Sequence, residues 1–563
     1  MDSPSLTDRL RDNPTPAVVW VLGLCLLLGA ELSSIAGALV DAGGSVANGL
    51  DSVFGAITVD AVTAGDPTGL LILGTLALLF LGVGLAVVPR VPFSLSRRIG
   101  EHLSYERRML LDAVIVAVAL GLVATVSIWA GLVDLLRVGG SPLWTGLEWL
   151  AERPNLTSRE LIPNEGYQVA DGTWHGTFLG LSPAVAWTLR VLVVFAYVGL
   201  WLGWLWAGYW WYRTHYRQAD WTPRDDMVQR LRTHRWGQFG MVVVCLFLTM
   251  AVFAPSLGTT TAEADIYAPF SHTIEYFDDS SGEVETITVG EANQQTRSVG
   301  YEAENVGPLS YDQFDRFHPF GTLTDGKDLL TFLVHGARVS LLIGLLSVGL
   351  SAAFATMFAL ISAYYRGLAD LVLVITGDTI MGVPRLLLLI LLTVLFAETW
   401  LGSIYDGGVL LAVILAGTGW PYLWRSFRGP TLQISEEEWV DAARSYGQTP
   451  IGIMRLHMLP YLVGYLLIYS SLVLGGVILA IAGLSFLGLG ITAPTPEWGR
   501  AVDLGREYVA TTSWHISLIP GLLITLVVTG FNALGDGLRD AIDPKADGDI
   551  ATDTESQSRG GGV

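Results

Sequence analysis

Lysine is nearly absent from this chain of 563 residues, which contains only Lys327 and Lys545. The other basic side chains are arginines, and 52 acidic residues against 32 basic ones give a net charge of −20. An acidic, lysine-poor composition predicts a protein adapted to concentrated salt. A GC-rich genome is the alternative explanation for the scarcity of lysine.

Cysteine and charge are also scarce. The two cysteines, Cys25 and Cys245, each lie in an apolar run, which excludes a disulfide framework or a cysteine-based zinc site. Only 15% of the residues are charged, 51% are hydrophobic, and the mean hydropathy is +0.49. These values exclude a disordered chain and argue against a soluble multidomain enzyme. We therefore expect an integral membrane protein.

The chain contains no phosphate-binding loop of the form G-x-x-x-x-G-K-[ST]. Its one Gly-Lys pair, Gly326-Lys327, is followed by Asp328, so the Ser or Thr that contacts Mg²⁺ in such loops is missing. If this protein acts with ATP, another chain must bind the nucleotide.

Long apolar runs are present instead. A run of about 20 residues crosses the hydrocarbon of a bilayer as a helix, and the sequence predicts about ten such spans. Four lie in the N-terminal region, at about 17–40, 69–89, 110–136 and 182–211. Six follow, at about 238–256, 337–363, 371–397, 409–424, 461–485 and 515–534.

The arginines predict the orientation, because basic loops stay in the cytoplasm. The loops 90–108 and 213–235 are rich in arginine, whereas 41–68 has four aspartates and no basic residue. Residues 257–326 hold thirteen acidic residues against two arginines. This pattern places the acidic loops outside, both termini in the cytoplasm and the chain in the cell membrane. The polar end, 546–563, is expected to be a disordered cytoplasmic tail.

Tryptophans and tyrosines crowd the end of the fourth run, between Trp201 and Tyr212. Such rings accumulate where a span meets the headgroups, so we interpret the cluster as an interfacial anchor. A ligand cage is the alternative.

The loop 435–460 carries helix signals in close succession. Ser435 and Glu438 have the spacing of a capping box, and Gly447 is suited to the left-handed position that ends a helix. Thr449 can then cap a second helix that has Pro450 at its first position. We therefore expect two short helices that project from the spans and that a soluble partner can move.

The spacing of Asp441-Ala442-Ala443, Gly447, His457 and Leu459-Pro460 resembles the cytoplasmic coupling loop of ABC importer permeases. Asp441 stands where that family usually has Glu, and His457 where it has an aliphatic residue. The resemblance assigns ATPase coupling to these residues: Glu438, Asp441, Ala442, Ala443, Gly447, Leu459 and Pro460.

Further segments are similar to the dipeptide, oligopeptide and nickel importer permeases, and specifically to their second, C-type subunit. They are Gly483–Gly490, Pro494–Gly499, Phe531–Pro544, and His318–Thr322 with Gly326–Asp328. The resemblance covers about residues 231–545, is interrupted by an acidic extracellular insertion at about 257–317, and does not reach residues 1–230.

The resemblance implies an all-α integral membrane protein with a C-terminal six-helix core of the type I ABC importer permeases. Residues 1–230 would add about four spans of unassigned function. Candidate residues of the translocation pathway are Asp378, Pro384, Gly476, Gly483 and Ser485. Asp378 and Arg385 are seven residues apart in one predicted span, so we expect them on one helix face.

The family also implies partners. They are a homologous permease, two ABC ATPase subunits that bind ATP and Mg²⁺, an extracellular solute-binding protein and membrane lipid. This chain itself would bind no cofactor, no metal and no nucleic acid. It would not be an enzyme. Its substrate would be a dipeptide or oligopeptide, with nickel or another solute still open.

Two other classes of membrane protein are the alternatives. An ion-driven secondary transporter needs intramembrane carboxylates, for which Glu31, Asp112 and Asp378 are the candidates. A membrane enzyme or receptor scaffold would use the loop 257–326, which has no Ser-His-Asp order, no H-E-x-x-H and no cysteine.

Overall fold

The computed structural model describes most of the chain from residue 142 onward and a short N-terminal part. The described residues are 6–33, 36, 37, 40, 142–151, 153–217 and 222–542. Several predicted segments lie outside them: the spans 69–89 and 110–136, the loops 41–68 and 90–108, Asp112 and the tail 546–563.

The described helices are numbered here in chain order. Those of the N-terminal region are α1 Leu6–Asp12, α2 Thr15–Ala30, α3 Pro142–Ala151 and α4 Pro183–Trp211. The next are α5 Pro223–Thr233, α6 Arg235–Val252, α7 Ala254–Leu257, α8 Val289–Gln295 and α9 Leu329–Tyr365. They are followed by α10 Gly367–Gly382, α11 Arg385–Phe396, α12 Trp400–Ser403, α13 Gly408–Ser435 and α14 Glu438–Ser445. The last are α15 Pro450–Ile453, α16 Leu459–Phe486, α17 Trp498–Gly505 and α18 His515–Ile542.

The chain divides into two compact units. The first consists of Met1–Ala30, Pro154–Ala397 and Asp406–Val563, and the second of Glu31–Arg153 and Glu398–Tyr405. Helices α3 and α12 belong to the second unit, and the other described helices to the first. The candidate site residues all lie in the first unit.

Six described helices are long and apolar enough to cross a membrane, and the number rises to eight if two bent pairs are each counted as one span. The six correspond to the predicted spans that begin at about 182, 238, 337, 409, 461 and 515. The bent pairs are α1 with α2, at 91°, and α10 with α11, at 89°. Of the roughly ten predicted spans, the described residues therefore support six, or eight if each bent pair is one span.

The predicted span 371–397 is not one continuous helix. Helix α10 ends at Gly382, and α11 begins at Arg385 with Pro384 as its N-cap residue. A proline has no N–H to donate and its ring clashes with the preceding turn, so the helix breaks there. Asp378 and Arg385 thus lie on two different helices, and the prediction that they share one face is wrong.

The C-terminal helices pack through small residues. Ala352, Ala355 and Ala359 of α9 face Trp420 and Trp424 of α13 in one buried cluster. Gly475 of α16 closely approaches α18, because a Cβ placed on it would lie 3.2 Å from the Cβ of Phe531. Small side chains let helices approach closely where no water drives their association.

The acidic insertion contains β-structure, which the all-α prediction missed. Its main element is the antiparallel hairpin of β3 Thr273–Asp278 and β4 Glu283–Thr288. Two further antiparallel pairs lie outside the spans: β1 Tyr167–Gln168 with β2 Trp174–His175, and β5 Ser310–Tyr311 with β6 Phe317–His318. The alternation of Ile274 and Tyr276 with polar residues, followed by a polar turn and by Val284 and Ile287, is a strand signal.

The N-terminal region packs directly on the C-terminal one. Val194 of α4 is fully buried against Ala254 and Leu257 of α7 and Leu330 and Val334 of α9. Helix α4 is therefore part of the same core as α9.

Four consecutive carbonyl groups at the end of α7 accept hydrogen bonds from side chains of the N-terminal region. The fully buried Arg190 donates to Ser256 O and Gly258 O, both at 2.7 Å. The other donors are Trp187 to Leu257 O at 2.9 Å, Asn164 to Thr259 O at 2.9 Å, and Arg159 to Thr259 O at 2.6 Å. The last carbonyls of a helix have no partner within the helix, so these side chains satisfy groups that would otherwise be buried unpaired.

Candidate functional site

Helix α14 has one buried and one exposed face. Val440 is 0% exposed and Ala443 5%, whereas Glu438, Asp441 and Ala442 are exposed. Positions three and four apart share a helix face, so the three exposed residues form one surface. The buried pair packs against a cluster that contains Leu360, Ala363, Ile453, Met458 and Leu462.

The turn after α14 has the predicted conformation. Gly447 has φ +73°, in the left-handed region, and its N–H donates to Arg444 O at 3.0 Å. Thr449 then caps α15, because its Oγ1 accepts from Gly452 N at 3.2 Å, and Pro450 occupies the first position. The tight turn fixes the direction in which the chain leaves α14.

The predicted capping box at Ser435 is wrong. Ser435 is the last residue of α13, and its hydroxyl donates to Leu432 O at 2.8 Å. Helix α13 extends this far because Phe427 and Thr431 remain buried beyond the apolar run. The N-cap residue of α14 is Glu437, which makes no side-chain capping bond.

Arginines fasten the loop to the span α9. Arg366, immediately after α9, donates to Ser435 Oγ at 3.2 Å and lies 3.3 Å from a carboxylate oxygen of Glu436. The guanidinium of Arg444 lies 4.7 Å from the ring centroid of Tyr364. Both ends of α14 are thus attached to the end of one span.

The second half of the loop continues directly into a span. A π-helical turn, Met454–Met458, joins α15 to α16, which begins at Leu459 and Pro460. His457 Nε2 is 2.8 Å from Gln448 Oε1, so this turn is tied back to the residues after Gly447. Because the backbone is continuous, a displacement of the loop is transmitted to α16.

The candidate pathway residues fall into two groups. Asp378, on α10, forms an ion pair with Arg425 of α13, and the two side chains are 51% and 56% exposed. Pro384 forms the break between α10 and α11. An exposed charge pair within spans is costly against hydrocarbon, so this side of the helices faces either water or another protein.

The second group lies on α16. Gly476 and Gly483 have open space where a Cβ would be placed. Ser485 is buried instead, and its Oγ accepts from Ile491 N at 3.3 Å. No hydrogen bond or ion pair of the described residues joins this group to Asp378, so Ser485 has a packing role in this structure.

A buried charge network precedes α9. His318 Nδ1 is 2.8 Å from Asp328 Oδ1, and its Nε2 is 3.2 Å from Asp312 Oδ2. Burial alone would lower the pKa of His318, but the bonds and charges of the two aspartates outweigh it and raise that pKa to about 9. Burial and the charge of Asp328 raise the pKa of Asp265 to about 7.

Asp328 also caps α9, because its second oxygen accepts from Thr331 N at 2.7 Å and Oγ1 at 2.8 Å. The segments His318–Thr322 and Gly326–Asp328 therefore meet in space. Gly326, with φ +82°, lies against Asn293, whose carbonyl oxygen would be 1.7 Å from an added Cβ. Only glycine fits at this position.

With this geometry established, similarity to known proteins can be assigned. Residues 355–548 match the family described as the binding-protein-dependent transport system inner membrane component, and residues 222–271 match the N-terminal transmembrane domain of oligopeptide transport permease C. A dipeptide transport system permease protein of Alkalihalophilus pseudofirmus is 30% identical over 324 residues, which are 58% of this chain and 90% of that protein. The chain belongs to the binding-protein-dependent transport permeases.

Glutathione transport system permease proteins of Shigella dysenteriae and Escherichia coli are 35% identical to the permease over 327 residues, 58% of this chain and 92% of theirs. The permease is therefore a multi-pass membrane subunit of an ABC importer rather than an enzyme. The loop 435–460 lies inside the first of the two matched stretches.

Sequence reasoning missed two arginines of the permease. Arg425 pairs with Asp378, and Arg366 contacts Ser435 at the start of the loop 435–460. Each is the first arginine after the end of a predicted span, and this position could have identified it as a candidate partner for a nearby acidic residue. Sequence separation hid the pairings, because Arg425 and Asp378 are 47 residues apart.

Proposed function

We propose that the permease is the C-type subunit of an importer for dipeptides or oligopeptides. It forms the translocation pathway with a homologous permease and binds two ATPase subunits through the loop 435–460. A solute-binding protein delivers substrate from the outside. The observation that supports this most is α14, a short helix whose buried face packs against the ends of the spans α9 and α16 while Glu438, Asp441 and Ala442 are exposed.

The proposed mechanism is mechanical. Closure of the ATPases around ATP and Mg²⁺ on the partner chains displaces α14, and the continuous backbone from α15 into α16 carries that displacement into the membrane. The ties from Arg366 and Arg444 make α9 move with it. Two arrangements of these helices would open the pathway alternately to each side.

The ion pair of Asp378 and Arg425 supports the assignment of the pathway. Helices α10 and α11 expose many apolar side chains, among them Leu368, Ile375, Leu387 and Leu391. A companion permease would cover this apolar surface, and a water-filled pathway would solvate the charged pair. The homologues named as dipeptide and glutathione transporters support a peptide substrate; nickel is the less supported substrate.

The acidic, lysine-poor composition supports a haloarchaeal origin of the protein. In the proposed orientation both termini lie in the cytoplasm, and the acidic insertion is exposed to concentrated salt outside the cell. The insertion and residues 154–182, which β1 and β2 occupy in part, would then face the solute-binding protein.

The test uses the complex of permease, companion permease, ATPases and solute-binding protein in proteoliposomes. Asp441→Lys reverses the charge at one position of the exposed face and leaves Val440 and Ala443 unchanged, so ATP hydrolysis should no longer drive peptide uptake. Asp441→Glu is the matched control and should transport normally. Normal uptake by Asp441→Lys would refute the coupling role, and mass spectrometry of the co-purified solute would identify the substrate class.

A further inference from the structure

Helix α13 contacts the bent pair of α10 and α11 at three levels, and ion pairs form at two of them. At the first level, Arg428 of α13 donates from its Nε to Asp370 of α10 at 2.8 Å. At the second level, Arg425 of α13 pairs with Asp378, which lies eight residues beyond Asp370 on α10. Each of these two arginines thus has a carboxylate of the same chain opposite it.

The third level has an arginine and no carboxylate. The guanidinium of Arg385, at the start of α11, lies 5.5 Å from the ring centroid of Tyr422, which precedes Arg425 by three residues on α13. Among the residues that the structure describes, Arg385 forms no hydrogen bond and no ion pair, and its Nε is buried without a partner. An aromatic face attracts a cation but has no net charge. Three arginines and two aspartates therefore leave one positive charge uncompensated at Arg385.

The uncompensated charge lies within a broken span. Helices α10 and α11 together are long and apolar enough to cross the membrane. The 16 residues of α10 separate the break from the end of α9 by about 24 Å, at about 1.5 Å per residue. A charge without a counter-charge is costly inside a bilayer. Because Asp370 and Asp378 show that this chain supplies its own carboxylate for a permanent pair, Arg385 is suited to an anion that binds and then leaves.

We propose that Arg385 binds the C-terminal carboxylate of a peptide in the translocation pathway, an inference that rests on the peptide importer proposed above. The guanidinium can donate two parallel hydrogen bonds to the two oxygens of a carboxylate, while Tyr422 holds it from the other side. Dipeptides and oligopeptides all carry this group, whatever their side chains. One arginine can therefore recognise every member of the substrate class.

Two features favour the substrate over an acidic side chain of the companion permease. The ion pair of Asp378 and Arg425, one level away, is about half exposed, as expected of charges beside a water-filled pathway. Arg385 also directly follows Pro384, so it lies at the N-terminus of the second half of a broken span. In transporters, the N-termini of such half-helices point at anionic groups of the substrate.

The experiment compares trialanine with trialanine amide, which differ only in the terminal carboxylate. Ligand-observed NMR measures the affinity of both for the complex of permease, companion permease and ATPases in nanodiscs, without the solute-binding protein and its own specificity. The wild type should bind trialanine about ten-fold more tightly than the amide, since a hydrogen bond to a charged group contributes at least this much. Arg385→Gln should bind the two ligands equally. Arg11→Gln, which removes an exposed arginine of α1, is the matched control and should keep the preference.

Equal affinity of the wild type for the two ligands would overturn the proposal, as would a preference for trialanine that Arg385→Gln retains. An equal loss of affinity for both ligands, together with weaker association of the two permeases, would also overturn it, because Arg385 would then pair with a carboxylate of the companion permease. If Arg385→Gln fails to fold, Tyr422→Leu carries the test. Loss of the ring should reduce the preference by about three-fold, and an unchanged preference would count against the site.

Peptide uptake by the wild-type complex with its solute-binding protein separates this proposal from the proposed function. Absence of peptide uptake would refute the importer function itself. Uptake by a complex that shows no preference for trialanine would refute only the role of Arg385.

Discussion

Single residues with unusual backbone or charge determine the shape of the permease at two places. Gly447 adopts φ +73° in a turn where nothing lies within 4 Å of an added Cβ. The constraint at this position is therefore the backbone conformation and not lack of space. At His318 the constraint is charge, because a buried imidazolium lies between two carboxylates.

Replacing Gly447 with Val should uncouple ATP hydrolysis from uptake. A side chain in the left-handed region costs about 1–2 kcal/mol, and a β-branched one lies at the upper end, so the turn would relax and change the direction of α14. Asparagine tolerates this region, so Gly447→Asn should retain most of the uptake. Both variants are tested by measuring ATPase activity and peptide uptake in proteoliposomes. Equal uptake by the two variants would contradict this role of the turn.

The network of His318 should make the region before α9 less stable in alkali. The pKa of His318 is raised from 6.5 to about 9, so its stabilising charge is fully present below about pH 6.5 and is lost as the pH rises through 9. At about 1.4 kcal/mol per pH unit, the loss approaches about 3 kcal/mol. Hydrogen exchange of the Thr331 amide, corrected for the intrinsic rate, measures it.

His318→Gln is the control for this pH dependence, because glutamine does not titrate. Asp265, with its pKa raised to about 7, adds a fall in stability between about pH 4 and 7 in both proteins. The titration of His318 itself accounts for the difference between pH 6.5 and 9, whereas any difference in acid comes from Asp312 and Asp328, whose pKa values His318 lowers. Identical profiles for the two proteins over that range would show that His318 is neutral in the folded protein.

At the scale of elements, hydropathy predicted the positions of the spans better than their ends. Six predicted spans occur as helices, yet α9 and α13 extend well beyond their apolar runs, because burial of residues such as Thr431 continues the helix into polar sequence. The break at Pro384 was readable from the sequence, but the 89° bend depends on packing. Thr449 and Gly447 were predicted because their signals are local, whereas the partners of Asp378 and His318 depend on tertiary contacts.

Uptake should depend on opposite charges at Asp378 of α10 and Arg425 of α13. Asp378→Arg and Arg425→Asp should each reduce uptake by up to about five-fold, because partly exposed pairs contribute at most about 1 kcal/mol and each variant also opposes like charges. The double variant restores opposite charges and should recover most of the uptake at equal protein abundance. A double variant as impaired as the product of the two single effects would exclude a direct contribution of the pair.

At the scale of the whole molecule, the N-terminal extension is a structural part of the permease. Its side chains cap the carbonyls of Ser256, Leu257, Gly258 and Thr259, and α4 shares a buried cluster with α7 and α9. The family match begins only at residue 222. Removal of residues 1–230 would therefore expose carbonyls of the matched region.

Arg190→Met should destabilise the protein by about 3 kcal/mol or more. It removes the donor to the buried carbonyl of Ser256 and the shorter of two bonds to Gly258 O, and it also removes the bonds to Ile162 O and Asn164 Oδ1. Each buried group left unsatisfied costs about 1–3 kcal/mol. Arg190→Lys keeps the charge but not the planar set of donors and should be intermediate. Thermal unfolding in detergent measures the effect, with Leu192→Ala, 59% exposed on the same helix, as the control. An unchanged midpoint for Arg190→Met would show that water satisfies these carbonyls.

The capping by Arg190 also constrains biogenesis. Its acceptor at Ser256 is 66 residues later in the chain, so at about 5–20 residues per second the ribosome delivers it about 3–13 s after the arginine. During that interval the guanidinium of Arg190 has only its earlier acceptors, Ile162 O and Asn164 Oδ1, and lacks those at Ser256 and Gly258. Helix α4 can therefore reach its final packing only after α7 has been synthesised.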